Sequence, residues 1–522
     1  MPLPIYRCVR STRMGLKMKI GWKRPAVALG AAAVCILLAG MLLVILREKG
    51  KTEMEMGIYF KKETGNAFFS NDLGITDIGD PFVLKTETDG YYMYCTSAPN
   101  GFYCWKSEDL VNWSGKEMCY VRQPDSWCVD CFWAPEVVFY EGKYYMFYTA
   151  KNQQDSLRIG LAVSEKPGGP FLDVKNEPLF DFGYAAIDAN VLIDADGKKY
   201  LYYSRDCSEN VVDGLKKSEI YGVPLSDDLL SVQGEAVKLL TPQQKWEKES
   251  GDTQWNEGPE MITHEGKYYL TYSANFFASP SYSLGYAVSD SPLGPFVKAE
   301  ENPLLTSGIR KDVSGTGHHS FTMSPDGTQL WAVYHSHTNP QAPSGNRKVN
   351  IDRAGFTADG KLYINGPVTA MQPVPSGAAA VDITNRFTAM ANGEKADLLV
   401  DGFFSIYKKH ADMDMKLEAE NGGMVKVTLE ADEELPVYAV AIYPGQGGMK
   451  DIYSVSLCVD DRICSEEYIV GEEAVSPLLL SFEPVQAQKI DFVFTMREGA
   501  DSLKLSEITI LQPAESQNRL GK

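Results

Sequence analysis

The sequence predicts an all-β protein: a five-bladed β-propeller followed by a β-sandwich, with an N-terminal transmembrane helix. Three observations predict it. A strand–turn–aromatic-strand unit recurs five times within 71–375, a second series of alternating strands fills 381–513, and an uncharged apolar run from Ala26 to Leu46 follows a basic tail.

The tail comes first. Arg7, Arg10, Arg13, Lys17, Lys19, Lys23 and Arg24 precede the apolar run. About 20 helical residues span a bilayer, and no small-residue cleavage site is obvious after the run. Positive charge stays on the cytosolic side. The expectation is a cytosolic tail over 1–24, a signal anchor over 25–47 and a polar stalk over 48–70. The remainder then lies outside a single-pass cell-membrane protein; a cleaved signal peptide and a secreted protein are the alternative.

The repeats come next. Hairpin glycines stand in TDG (Thr88 to Gly90), EGK (Glu141 to Lys143), DGK (Asp196 to Lys198), EGK (Glu265 to Lys267) and DGT (Asp326 to Thr328). Each is followed by an aromatic strand such as KYYMFY (Lys143 to Tyr148) or QLWAVYH (Gln329 to His335), a strand–hairpin–strand signal. Two units continue in near-identity, IGLAVSEKPGGPF (Ile159 to Phe171) and LGYAVSDSPLGPF (Leu284 to Phe296). A period of roughly fifty residues suits four-stranded blades around an axis. Nine residues before Gly142, Gly197, Gly266 and Gly327 stand Trp133, Asp188, Glu257 and His318, and ten before Gly90 stands Asp80. In a propeller the innermost strands run alike along the channel, so these five residues should ring one mouth. A single Asp there would be read as a turn cap. Three acids in equivalent slots repel one another and so mark a functional site. Converging carboxylates are the chemistry of glycoside hydrolysis.

Composition narrows the partners. A net charge of −19 argues against nucleic acid. Abundant Tyr and Trp suit β-rich, sugar-stacking surfaces, and nothing points to an organic cofactor. Cys95 and Cys104 flank one hairpin turn, and Cys458 and Cys464 another, so each pair is placed to bridge. Cys128 and Cys131 have the spacing of half a zinc site, but no second such pair completes it, so a local disulfide or free thiols are preferred.

The motifs taken together resemble glycoside hydrolase family 43, the five-bladed arabinosidases and xylosidases. They are IGDPFV (Ile78 to Val83), SEDLVNW (Ser107 to Trp113), WAPEV (Trp133 to Val137), IDANVLIDADGKKYLYY (Ile187 to Tyr203), NEGPEM (Asn256 to Met261), GTGHHS (Gly315 to Ser320) and VYH with the later Arg347. The resemblance implies that Asp80 is the general base, Glu257 the general acid, and Asp188 the residue that tunes and orients the acid. Base and acid lie in blades that are not neighbours, so inversion is expected. His318 resembles the family's axial histidine beside a bound ion, often calcium, held largely through water; a hydrogen-bonded structural histidine is the alternative. Arg347 resembles the arginine that reaches the substrate, against a surface arginine beside Lys348. Trp133 would stack on a sugar face or plug the channel floor.

PVPSG (Pro373 to Gly377) punctuates the chain before the second β-rich segment, with strands such as PVYAVAIYP (Pro436 to Pro444) and LKLSEITIL (Leu503 to Leu511). That segment resembles, more weakly, discoidin-like jelly rolls, which implies a carbohydrate-binding or packing module; 514–522 is a short tail. The expected function is therefore an inverting glycosidase that removes α-L-arabinofuranosyl or β-xylosyl units from plant-type oligo- or polysaccharides. A retaining fructosidase lacks its motifs here. The other alternative is a non-catalytic sugar-binding or sensory propeller, which would have no reason to keep mutually repelling acids. The insertion between Cys207 and Gln254 and the CVDCF loop (Cys128 to Phe132) are candidates for restricting action to chain ends.

Overall fold

The computed structural model describes residues 57–62, 65–308, 310–404, 414–420, 423–445, 448–471 and 476–514. The expected tail and membrane anchor lie outside the described residues. Among the described residues no helix is long and apolar enough to cross a membrane.

Residues 76–364 form five antiparallel sheets of four strands. Blade one holds Thr76–Lys85, Tyr91–Thr96, Gly101–Ser107 and Glu117–Val121; blade two holds Cys128–Tyr140, Lys143–Asn152, Leu157–Ser164 and Leu172–Asp173. Blade three holds Ala186–Ile193, Lys199–Arg205, Glu219–Leu225 and Val237–Leu240; blade four holds Asn256–His264, Lys267–Ala274, Ser283–Ser289 and Val297–Lys298. Blade five holds Gly317–Met323, Leu330–His337, Arg347–Phe356 and Leu362–Ile364. The first strands of successive blades touch in cyclic order, and the first strand of blade one also pairs with the third strand of blade five. The chain thereby closes a ring and leaves no open edge at the junction. Aromatic second strands supply the wedges between blades: Tyr94, Tyr148, Tyr202, Tyr272 and Tyr334 are all fully buried.

Every first strand carries an extra residue against its partner at an equivalent place, a β-bulge at Asp80, Ala134, Asp188, Gly258 or His318, and the first strand of blade two has two further register shifts before it. All five have positive φ, between 41° and 56°. Asp and His tolerate this region better than most residues, and Gly best of all. The bulge re-aims the strand end toward the channel mouth. It also corrects the slot inferred from the glycines. Blades two and four turn in two residues, Tyr140 pairing with Lys143 and His264 with Lys267, whereas the other hairpins are longer. A fixed count from the glycine therefore lands one residue early in those two blades. Asp80, Asp188 and His318 are equivalent; Trp133 and Glu257 precede the equivalent residues Ala134 and Gly258.

The bulges also latch blade to blade. The backbone N–H of Ala134 donates to Thr96 Oγ1 (2.8 Å), that of Asp188 to Thr149 Oγ1 (3.0 Å), that of His318 to Ser273 Oγ (2.9 Å) and that of Asp80 to His335 Nδ1 (3.2 Å). Each acceptor belongs to the second strand of the preceding blade. The series breaks once, where Gly258 donates instead to Asp188 Oδ2 at 3.0 Å. A second tier lies deeper: Glu136 Oε1 accepts from the N–H of Val191, Asn190 Oδ1 from Met261, Glu260 Oε1 from Phe321, and Ser320 Oγ from Val83. Burial pushes the Glu136 carboxyl up to about 8 and that of Glu260 well above the usual range. The glutamates of WAPEV and NEGPEM that follow each Pro are thus blade latches.

Phe68–Ser70 pairs with Met371–Pro373, and from Ala380 onward the described residues form one large sheet whose long strands, Met424–Pro444 and Leu478–Met496, bend through register shifts and enclose a separate apolar core. Alternate residues of one strand serve two cores. Val440 and Ile442 face the inner one, while Ala439, Ala441 and Tyr443 pack with Trp331, Val333 and Ile351 of the propeller. Cys458 and Cys464 form a disulfide. Cys95 and Cys104 do not, because Cys104 lies opposite Tyr94 rather than Cys95. Neighbours along a strand point to opposite faces, so the two thiols enter different cores. Cys128 and Cys131 are free thiols.

Candidate active site

One cavity of about 590 Å³ opens at the ring mouth and is lined by Asp80, Trp133, Asp188, Glu257, His318 and Arg347, all six of the residues singled out from the sequence. Ile187, Asp206, Trp255, Phe276, Phe277 and Tyr282 also line it, as do Ser208 and Glu209 of the blade-three insertion, Lys151, Asp155 and Leu157. Among the described residues of the CVDCF stretch, none lines it.

Asp80 is held on every side. Its Oδ1 accepts from Arg347 Nη1 at 2.8 Å and lies 3.3 Å from His318 Nδ1, while its Oδ2 accepts from Thr96 Oγ1 at 2.5 Å. Burial by itself raises this carboxyl. Arg347, His318, His335 and the Thr96 hydroxyl outweigh it and hold the group well below the usual carboxylate range. Arg347 reaches Asp80 only because residue 79 is glycine: a Cβ there would stand 2.0 Å from the guanidinium. The guanidinium also lies over the Phe277 ring, 4.8 Å from its centroid.

Glu257 lies in the opposite regime. It is buried, and burial and then the neighbouring Asp188 push its carboxyl well above the usual range. The Tyr282 hydroxyl donates to its Oε1 at 3.0 Å. Asp188 is also raised, to about 6, first by burial; the Gly258 N–H that it accepts opposes this. That bond ties Asp188 to the backbone one residue past Glu257. Tyr282 in turn stacks nearly parallel on His335, with centroids 5.5 Å apart, and a Cβ at Gly317 would strike its ring at 2.3 Å. A Tyr282–His335 stack therefore links the Glu257 carboxyl to the Asp80 backbone.

Beneath the mouth, Asp80, Glu136, Asp188, His318 and His319 line an axial space of about 20 Å³. Calcium takes six to eight oxygen ligands. Here Arg347 and Thr96 engage the Asp80 oxygens, and two N–H donors converge on Glu136 Oε1. Among the described residues no group of three or more His, Cys, Asp or Glu side chains could hold a metal. Among the described residues these side chains do not form a direct calcium shell. His319 is buried away from the mouth and bonded to Thr271 Oγ1 at 2.7 Å; burial lowers it to about 3 and leaves it neutral.

Thr96, His335, Tyr282, Phe277, Trp255 and Phe276 were not singled out as site residues from the sequence. His335 sits inside VYH, and the motif was its only signal. Tyr282 lies in a loop and carries none.

The model of the glycosyl hydrolases family 43 matches residues 69–362, more than half of the chain. The chain belongs to family 43. A xylosidase/arabinosidase of Bacteroides ovatus is 29% identical over 285 residues, 50% of this chain and 82% of its own. A β-D-galactofuranosidase of Aspergillus niger is 29% identical over 292 residues, 52% of this chain and 78% of its own. Among solved structures, a thermostable family-43 glycoside hydrolase is 50% identical, covers 59% of this chain and 99% of its own, and superposes with a TM-score of 0.57. The family-43 chain is a glycosidase, not a sugar-binding propeller without chemistry.

Proposed function

We propose that this family-43 enzyme hydrolyses α-L-arabinofuranosyl or β-xylosyl linkages in plant-type glycans with inversion. Asp80 acts as general base, Glu257 as general acid, and Asp188 tunes and orients the acid. One observation carries the reading: two carboxyls in one cavity are driven to opposite ionisation states by their surroundings. Such a pair is how one site supplies acid and base together near neutral pH. Asp80, charged beside Arg347, takes a proton from water as its oxygen attacks the anomeric carbon. Glu257, kept protonated, gives its proton to the leaving oxygen. Trp133, 36% exposed at the mouth, offers a stacking face for the sugar. The sugar reading rests on the named relatives; the β-D-galactofuranosidase among them keeps a hexofuranosyl unit as the competing substrate.

Proton NMR of the soluble ectodomain with aryl α-L-arabinofuranoside, β-xyloside and β-D-galactofuranoside tests this. The first sugar signal to appear should belong to the anomer opposite to that of the substrate. A first product that retains configuration would overturn inversion. Turnover of the galactofuranoside alone would overturn the pentose assignment.

A further outcome concerns Tyr282. Its bond to Oε1 leaves Oε2 of Glu257 to carry the transferable proton, and it stabilises the charged form left after transfer. Tyr282→Phe should therefore raise the alkaline limb of the kcat–pH profile and lower kcat by about tenfold, the scale of one lost charge-assisted bond. An unchanged limb would assign Tyr282 to packing alone.

The apolar run within 25–47 is proposed to tether the enzyme to the cell membrane with the propeller outside, where polysaccharides are met. The Cys458–Cys464 disulfide fits an oxidising compartment.

A further inference from the structure

Asn256 stands between Trp255 and Glu257, begins the strand Asn256–His264 and is fully buried. Neighbours along an extended strand face opposite ways; Trp255 and Glu257 line the cavity, and Asn256 does not. Its side chain enters a buried polar cluster instead. The Asn256 amide nitrogen donates to Glu247 Oε1 at 3.2 Å and to the Trp255 carbonyl at 3.0 Å, and its oxygen accepts from Lys298 Nζ at 2.8 Å. Lys298 also donates to Glu247 Oε1 and, at 2.8 Å, to the Thr241 carbonyl. All three ammonium protons are thereby used. Glu247 is fully buried on the 3-10 turn Lys245–Lys248, in the connection from blade three to blade four. It accepts further from the Tyr272 hydroxyl at 2.7 Å and from the backbone N–H groups of Gln243 and Gln244, each at 2.6 Å. Lys298 comes from the outermost strand of blade four, Val297–Lys298. Burial lowers its ammonium to about 8, with Glu247 opposing the shift.

We infer that Lys298 and Glu247 are positioning residues for the general acid: through the Asn256 side chain they fix the start of the strand that carries Glu257. The inference rests on the acid role proposed for Glu257. Neither Lys298, Glu247 nor Asn256 lines the cavity, so their effect passes through the backbone next to the acid. A buried ion pair adds little net stability, because well-packed apolar residues of similar volume serve as well. What this pair supplies is direction. An ammonium only donates and a carboxylate only accepts, so the amide between them has one orientation. On the other side of the acid, the Gly258 N–H donates to Asp188. The backbone of Glu257 is thus held through both of its neighbours. A general acid must stay within hydrogen-bond reach of the oxygen it protonates, and a misplacement of about 1 Å can cost about 10²-fold in rate.

A leaving-group comparison separates positioning of the acid from general support of the fold. Wild type, Lys298→Met, Asn256→Asp and Glu257→Ala would be compared at a pH where Lys298 is charged. The substrates are xylobiose and dinitrophenyl β-xyloside, and the corresponding α-L-arabinofuranosyl pair. Methionine keeps the apolar stem of Lys298 and removes its ammonium. Aspartate keeps the shape of Asn256 and an oxygen for Lys298, and removes both amide donors. Dinitrophenolate departs without a proton, so it does not need the acid. The expected result is that the disaccharide-to-dinitrophenyl ratio of kcat falls by at least about tenfold in Lys298→Met and in Asn256→Asp, in the same direction as in Glu257→Ala. A ratio that stays constant, whether Tm holds or drops, makes the cluster a structural support and overturns the inference. If Lys298→Met does not fold, Asn256→Asp decides by the same ratio. A constant ratio in Glu257→Ala itself, or wild type inert on both substrates, would overturn the acid reading beneath, a different failure from a constant ratio in the other two variants alone.

Discussion

Glu257→Ala is expected to slow hydrolysis of an unactivated oligosaccharide by about 10²- to 10⁴-fold, the usual worth of a positioned proton donor. The loss should shrink steeply as the leaving group improves. A dinitrophenolate departs without a proton, whereas a sugar alkoxide does not. Equal losses across a leaving-group series would mean that Glu257 is not the acid. The alkaline limb of the wild-type profile should lie above the ordinary glutamate range, because burial and then Asp188 oppose its ionisation. Removing the Asp188 charge with Asp188→Asn removes one of those two causes, so the limb should move to lower pH. Asn suits this position, since the residue sits at φ 55° and amide side chains tolerate that region.

Asp80→Gly is expected to cost a similar factor, but uniformly over all leaving groups, because water must be activated whichever bond breaks. Glycine fits the left-handed backbone at φ 55° and leaves a gap where the carboxylate stood. Azide needs no deprotonation and can attack from that gap while Glu257 protonates the leaving oxygen. The product should be a glycosyl azide of inverted configuration, identified by NMR; a retained azide would contradict a single displacement. The acid limb gives an independent check. The base works when ionised, so activity is lost as pH falls through its pKa in the folded enzyme. In wild type that limb should lie below the ordinary aspartate range. Arg347→Met removes the neighbouring positive charge and leaves burial opposing ionisation. The limb should then move upward and the variant should lose activity selectively at low pH. An unmoved limb would detach Arg347 from the base.

Period and turn chemistry made the five units legible, because a hairpin glycine and an aromatic strand are local features. The five residues inferred from them share one cavity with Arg347, which the motif resemblance supplied. Their exact equivalence was not legible. Turn length differs between blades by residues that a count from glycine cannot see, which displaced Trp133 and Glu257 by one position along the bulge. Cys95 and Cys104 failed to pair for a similar reason: distance along the chain does not say which face of a strand a side chain takes.

By itself the sequence determined that five repeated units place acids and a histidine at one end of their first strands. That much follows from strand period and repeat spacing, which are properties of neighbouring residues. Tertiary structure decided what each acid can do. Arg347 reaches Asp80 from blade five across the ring closure, through the space left by Gly79. Tyr282 comes to Glu257 from a loop 25 residues on. Asp188 bonds the Gly258 backbone from the neighbouring blade. The charge state of a carboxyl depends on what surrounds it in space, and those surroundings exist only once the ring has closed.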